Sequence, residues 1–561
     1  MLAALGFVGS VLGLWQLGTG YGDFLLPQQG LYFVPERELT FYAYYALCGS
    51  LALVCMTRLL ADVAWLERLS VSLTALREQP DRLCGVLAFF VFAASLGFRR
   101  LVLEGQPIAD DEGTYLFIAR TLLKARLVNP VPADPDFFRN QFIVLNEHGW
   151  YGKYPIGHPL LLALFEGLHL RDLAVPLVAA GSVPLCYALG KRWFGAGQAL
   201  AACALLVVSP HFVWTAGTLL SQTTAGFFLL LGCYGALRAQ ESQRVHVAAL
   251  AGLAFGFGVL VRPLPGALFA ALGCVWALSW LRDAPAGARS GALVRALTLC
   301  ATAALGGVAV LAVNYAQTGG VFSSGYREVH GHMAIMSNQD AQLAHSVLGA
   351  ALRESFWLLG VPGCLLPVLL ARPVRAAWLF WGPFAAQLAY RMLYPKTVVA
   401  STGPIYITEL VPFVMLAVVS GVQRVRCALP AWQLRAAPVC VAVVLTAACM
   451  FVPVQWRTLR RAVEVRSLVF RMLEQSHAER ALVFSDALVF PSSGHSWAYF
   501  PDNPSPDLDD PVIFVRMPRA NVLLNIQNFW QRRFPDRRAF AYSWSKQGEP
   551  MFRELSRDEA H

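Results

Sequence analysis

The sequence predicts an all-α polytopic membrane protein that ends in a small α/β domain. Three observations carry the prediction. Hydrophobic residues make up 56% of the chain and charged residues only 14%, a balance too apolar for a soluble enzyme. Apolar runs of bilayer-crossing length, about 18–20 residues, recur up to residue 453. Beyond Val454 the pattern changes to a charged amphipathic stretch followed by short β-like runs.

The apolar runs fall near 2–18, 41–61, 83–103, 174–191, 196–214, 217–237, 246–261, 264–281, 296–313, 352–371, 376–393, 404–422 and 436–453, roughly thirteen spans. Met1–Leu17 lacks a basic n-region and a small-x-small cleavage site, so it reads as a retained span. Lys and Arg gather at alternate breaks: Arg58, Arg68, Arg77 and Arg82, then Lys191-Arg192, Arg238/Arg244, Arg282/Arg289/Arg295, Arg372/Arg375 and Arg424/Arg426. The positive-inside rule puts these breaks in the cytoplasm, and so puts the loop after Leu103 and everything after Val454 outside. Arg99-Arg100 opposes that rule, which calls for a partner at the outer surface.

The expected organisation is an N-terminal extra pair of spans over 1–82, a membrane core over 83–453 with an outer loop at 104–158, and an extracytoplasmic domain over 454–561. Pro159–His169 is too short to span and reads as an interfacial or re-entrant helix. Within the outer loop, a helical pattern at Tyr115–Arg126 precedes Pro130, Pro132 and Pro135 and the aromatic residues Phe137, Phe138, Phe142, Trp150, Tyr151 and Tyr154. Amphipathic pieces with aromatic anchors are expected to lie on the membrane surface. In the tail, strands are expected at Ala481–Phe484 and Val512–Val515, a helix at Val522–Arg533, and a further run at Ala539–Trp544.

The net charge of +10 is scattered over the breaks between apolar runs, so no basic face for nucleic acid forms. The twelve cysteines lie in or beside apolar runs, which fits buried thiols and not a disulfide framework. The tail has no Gly-rich phosphate loop.

Chemistry concentrates in the outer loops. Asp110, Asp111 and Glu112 follow an apolar run directly, and ionised acids are excluded from hydrocarbon, so they belong to a polar chamber at the interface. A carboxylate there can take a proton from a hydroxyl or amide, or hold a cation; the alternative is a loop that caps the next helix. Lys153 and His158 close the loop around a Pro turn. Lys153 suits phosphate as a point charge, or snorkels at the interface. Arg262, at a Pro turn between two spans, reads as a phosphate ligand. His330 and His332 are two apart, but a metal site would need further ligands. Arg391 and Lys396 meet Glu409 at the outer end of two spans, where Glu409 reads alternatively as half of a structural ion pair. Carboxylates and cations on one face suit a lipid-linked phosphate donor: cations hold the leaving phosphate while a carboxylate deprotonates the acceptor.

Three segments resemble the GT-C glycosyltransferases, in particular the bacterial branch similar to protein O-mannosyltransferases and lipid A aminoarabinose transferases. They are Asp111-Glu112-Gly-Thr-Tyr115-Leu, Tyr154-Pro-Ile-Gly-His158-Pro-Leu-Leu-Leu-Ala163, and Gly403-Pro-Ile-Tyr406-Ile-Thr-Glu409-Leu-Val-Pro412. The resemblance covers roughly residues 83–420. It implies transfer of a sugar from a polyprenyl-phosphate carrier to a lipid, glycan or protein acceptor, outside the bacterial inner membrane. It further implies Asp111 as general base, with Asp110 one position away, Glu112 as an orienting acid, and Tyr115, Tyr154, His158 and Tyr406 at the substrate. No cofactor is required; a divalent cation at the acidic cluster is compatible with the sequence but not demanded by it. The family's last motif often reads Gly-Pro-Arg-Tyr, and Ile405 stands here in place of that Arg, so Arg262, Arg391 or Lys396 would have to supply the charge. The rival readings are a flippase for a lipid-linked glycan and a non-catalytic envelope scaffold. A flippase should carry ionisable groups at mid-membrane depth, whereas this chain keeps nearly all of them at span ends.

Overall fold

The computed structural model describes residues 2–21, 35–61, 63, 79–140, 142–330, 354–371, 376–393, 399–400, 402–428, 436–485, 503–516, 526–545 and 549–556. Among them the chain is mostly helical and multi-pass. Six helices are long and apolar enough to cross a membrane: Tyr42–Leu60, Pro80–Val102, Arg171–Phe194, Pro263–Asp283, Ala286–Thr318 and Ile405–Ala428. A seventh span exists if Ala196–Val208 and Pro210–Ala216, bent by 63°, count as one. Leu2–Trp15, Val245–Val261 and Pro438–Pro453 are shorter apolar helices.

The run expected to span at 352–371 is not one helix. Gly360 and Gly363 adopt positive φ, +66° and +73°, and a short 3-10 turn follows at Leu366–Leu370. Left-handed glycines end a helix because the next N–H turns back on the preceding carbonyls. The run expected from residue 217 becomes helical only at Ser221; residues 217–220 form a buried turn instead.

Small residues close the core. Gly252, Gly256 and Gly306 bring the Val245–Val261 and Arg289–Thr318 helices so near that a Cβ on Gly306 would stand 1.9 Å from the Gly256 carbonyl oxygen. Such close backbone approach is how helices pack where no hydrophobic force separates protein from lipid.

The first two helices, Leu2–Tyr21 and Pro35–Leu60, pack on each other and on the 40-residue helix Ala436–Gln475. Trp15 Nε1 donates to the Cys449 carbonyl at 2.9 Å, and Tyr45 meets Phe356 edge-on at 4.4 Å. The boundary expected at 453/454 falls inside this last long helix, which runs through Pro453 without a break.

Four strands in the order Val512–Arg516, Ala481–Ser485, Arg538–Trp544 and Pro550–Glu554 make a sheet whose first three strands are parallel and whose last is antiparallel. Alternation along the Ala481–Ser485 strand decides what each face covers. Ala481 and Val483 pack on Val469 and Leu473 of the long helix. Leu482 and Phe484 pack on Phe117, Phe137, Phe138 and Trp150 of the outer loop. Phe137 stacks on Phe529 at 3.9 Å. These loop aromatics were expected to rest on the membrane surface; they are buried against the sheet, because its apolar face offers them a dry partner surface. Ion pairs rim the contact: Arg120 with Asp510 at 2.8 Å, Lys124 and Arg126 with Asp507, and Arg532 and Arg533 with Asp134.

Candidate functional site

The three consecutive acids occupy the first turn of the helix Asp110–Leu123. Successive helical residues point about 100° apart, so each acid finds different neighbours. Glu112 is fully buried. It accepts the Ile108 and Ala109 N–H groups, each at 2.9 Å, on one oxygen and the Leu219 N–H at 2.8 Å on the other. It thereby caps its own helix and pins the 217–220 turn to it. Asp110 pairs with Arg466 of the long helix at 2.6 Å. Asp111 keeps part of its surface open and accepts the Tyr154 hydroxyl hydrogen. Burial pushes the Asp111 carboxyl above the ordinary carboxylate range, against the opposing pull of Tyr154 and Lys153.

Tyr154 and Lys153 are delivered by the hairpin of Ile143–Asn146 with Gly149–Gly152. The Lys153 N–H continues the pairing to the Phe142 carbonyl at 3.0 Å. Two glycines allow the loop to close. A Cβ on Gly157 would stand 2.6 Å from the Val261 nitrogen, and one on Gly325 would stand 2.5 Å from the Lys153 Cα. The Lys153 ammonium lies 3.5 Å from the centre of the Phe142 ring, 4.9 Å from Tyr154 and 5.4 Å from Tyr326. Burial in this aromatic box pushes its pKa down to about 8, although Asp111 and Asp110 pull the other way.

His158 stands beside these groups, its ring edge-on to Tyr115 at 5.0 Å. Its Nε2 is 2.7 Å from the Leu219 carbonyl, which only accepts, so Nε2 carries the proton and Nδ1 accepts from the Thr224 hydroxyl at 3.0 Å. Burial lowers its pKa to about 4, so the ring stays neutral at physiological pH. Both nitrogens are committed to the scaffold. Tyr115 packs on Tyr154 at 4.7 Å between ring centres and shares a hydrogen bond with Ser221 at 3.0 Å.

Arg262 caps the turn between two helices, with its Nε 2.8 Å from Glu409 and its guanidinium 5.5 Å from the Tyr406 ring. Of the two readings for Glu409, the geometry is that of the ion pair. Tyr115 and Tyr326 each lie within electrostatic reach of both Asp111 and Arg262. Ile405 is buried in the cluster of Tyr115, Tyr154 and Leu219. Arg391 lies in the last turn of Ala377–Leu393, while Lys396 and His332 lie outside the described residues. His330 ends the short helix Gly325–His330. The two arginines that opposed the charge rule find partners. Arg99 and Arg100 both pair with Asp172 at 2.8 Å, and Arg99 also donates to the Gly105 carbonyl.

Sequence reading missed Tyr326, Phe142 as a wall of the lysine box, and Arg466. Tyr326 had one local signal, the glycine before it. Arg466 had a stronger one, a cation on the apolar stripe Leu459, Val463, Val469 and Leu473.

The site can hold a proton-accepting carboxylate next to a dehydrated cation, with a second cation at the neighbouring helix ends. Residues 155–305 match the family model of the dolichyl-phosphate-mannose-protein mannosyltransferases. A rice relative, the STT3B subunit of the dolichyl-diphosphooligosaccharide–protein glycosyltransferase (Oryza sativa subsp. japonica), is 29% identical over 24% of this chain. The chain matches only 23% of that relative's length. Among solved structures, ArnT from Cupriavidus metallidurans bound to undecaprenyl phosphate is similar with a TM-score of 0.50 at 14% identity, over 83% of this chain and 93% of that one. The apo form of the same protein gives 0.50 at 15%, over 85% and 94%.

Proposed function

We propose that this chain, which shares its fold with ArnT and part of its length with the mannosyltransferase family model, is a GT-C glycosyltransferase that moves a sugar from a polyprenyl-phosphate donor to an acceptor on the extracytoplasmic side of a bacterial inner membrane. Asp111 takes the proton from the acceptor hydroxyl or amide. The acceptor attacks the anomeric carbon, the bond from that carbon to the phosphate oxygen breaks, and polyprenyl phosphate leaves with the electron pair. A single displacement of this kind inverts the anomeric centre. Lys153 receives the departing phosphate as a point charge, and Arg262, held by Glu409, is the second cation. These steps require no cofactor and are compatible with a divalent cation at the acidic turn.

The observation that carries this reading is the division of labour in the acidic turn. Glu112 is spent on three backbone N–H groups and Asp110 on Arg466, which leaves Asp111 partly open, raised in pKa and beside a buried lysine. A base with a raised pKa is the better proton acceptor near neutral pH.

The test is transfer from a panel of radiolabelled polyprenyl-phosphate sugars by the purified protein in nanodiscs, wild type against Asp111→Asn. Loss of general-base catalysis should lower turnover by about 10²–10⁴-fold with donor binding retained. Donor binding without any donor consumption by the wild type would overturn the transferase and leave the flippase or the scaffold.

A further inference from the structure

The long helix Ala436–Gln475 passes the acidic turn on its way from the membrane to the C-terminal sheet. Its apolar stripe is buried at both ends. Leu459 and Val463 pack with Leu103 and Ile108, directly before the acids, and Val469 and Leu473 pack on the sheet. Arg466 sits between the two clusters, 13% exposed, with its Nη2 2.6 Å from Asp110 Oδ1; the Asp110 side chain is 19% exposed. Burying a guanidinium is costly unless it is paired, so this position holds its charge for the pairing.

Asp110 and Asp111 are adjacent carboxylates in one helical turn, and the charge of Asp110 disfavours that of Asp111. The other groups facing them are Lys153, Tyr154, Tyr115 and Tyr326, together with Glu112, which is itself held by backbone donors and lies in the field of Arg99. Among the described residues, Arg466 is the cation that the C-terminal helix pairs with this set.

We infer that Arg466 is a positioning residue of the acidic site: through Asp110 it fixes the first turn of the helix that presents Asp111 and cancels the negative charge next to it. The C-terminal helix and sheet are then a working part of the site. The inference rests on the reading of Asp111 as the base.

The full-length protein in nanodiscs is treated with a hydrophobic carbodiimide, which reacts with protonated carboxyls, across a pH series. Adducts on Asp110 and Asp111 are separated by fragment mass spectrometry. In Arg466→Gln the labelling midpoint of Asp111 should move up by about 1 pH unit, and Arg466→Lys should bring it back toward wild type. Asp110→Asn removes the neighbouring negative charge and leaves the arginine, so its midpoint should move down. Opposite shifts from the two ends of one pair are not what general loosening of the fold produces, and if Arg466→Gln does not fold, Arg466→Gln combined with Asp110→Asn leaves no acid unpaired and should bring the Asp111 midpoint back up from that of Asp110→Asn. An Asp111 midpoint that Arg466→Gln leaves unmoved, alone or with Asp110→Asn, overturns the inference.

Labelling needs no turnover, so the two readings fail separately. Shifted midpoints in a protein that transfers no sugar would sink the proposed activity and keep the role of Arg466 in the acidic turn. Unshifted midpoints in an active enzyme would do the reverse. In an active enzyme, the acid limb of kcat/KM should follow the labelling midpoint while donor KM at the pH optimum stays within about 2-fold of wild type, because Arg466 reaches the reaction only through the acidic turn.

Discussion

Arg262 Nε lies 2.8 Å from a carboxylate oxygen of Glu409, and Glu409 is fully buried. The two residues come from distant segments, one at the turn between two helices and the other in the 3-10 turn that opens the Ile405–Ala428 span. Removing one partner strands a buried charge, which costs more than the pair gains. Arg262→Gln should therefore lower stability by about 3–5 kcal/mol, Glu409→Gln by less, and the double variant should recover part of the loss. Thermal melting in detergent reads the three values, and strictly additive losses would show that the pair is not coupled.

The Tyr154 hydroxyl donates to Asp111 and so favours the charged carboxylate. Tyr154→Phe removes that hydrogen bond while leaving the ring against Tyr115 and Lys153. The Asp111 pKa should rise further, and the acid limb of the transfer profile should shift upward by about 1 pH unit. An acid limb that stays put in Tyr154→Phe would place the limb on another group.

Lys153 titrates near pH 8 because its aromatic box removes water from the ammonium. Above that pH the lysine loses its charge, so donor KM should climb as pH rises from 8 to 9. Lys153→Arg keeps a charge at every accessible pH and should flatten this alkaline limb, even though the wider guanidinium fits the box less well and lowers the maximum rate. Retention of a limb near pH 8 in Lys153→Arg would exclude Lys153 as its source.

Phe137 joins the outer loop to the C-terminal sheet through its stack on Phe529. Phe137→Ala should cost about 3–5 kcal/mol, as for other buried aromatic truncations, and should expose the tail to protease before the membrane helices melt. Limited proteolysis at rising temperature separates the two events. Tail and membrane core that still melt together in Phe137→Ala would mean that the rimming ion pairs, not the aromatic stack, hold the sheet in place.

The acidic turn was legible in the sequence because three carboxylates next to an apolar run have few places to go. The sorting of those acids was not, because it depends on Leu219, Tyr154 and Arg466, each far along the chain. Lys153 was legible as a cation and its box was not, since one wall, Tyr326, comes from another loop. The loop aromatics Phe137, Phe138 and Trp150 carry the same amphipathic pattern whether they face lipid or a sheet, and only the sheet's apolar face decides between the two. The tail strands at Ala481–Ser485 and Val512–Arg516 follow their β-branched and aromatic residues, whereas Pro550–Glu554 has too little of that character to stand out and forms because the edge of Arg538–Trp544 is open to it. The helix Ala436–Gln475 was read as two elements because its composition turns from apolar to charged at Pro453, while its backbone continues regardless.

That unbroken helix acts as a ruler. At about 1.5 Å per residue its forty residues measure about 60 Å, roughly twice the hydrocarbon thickness, so the half in excess of a bilayer sets how far the sheet stands from the apolar core. It also sets the compass bearing of every side chain along it. One residue inserted between Pro453 and Arg466 would turn everything beyond it by about 100° and swing the arginine off the acidic turn, whereas an insertion of seven residues would nearly restore the bearing but lift the sheet by about 10 Å. The segment can therefore drift in the identity of its outward-facing residues far more readily than in its length.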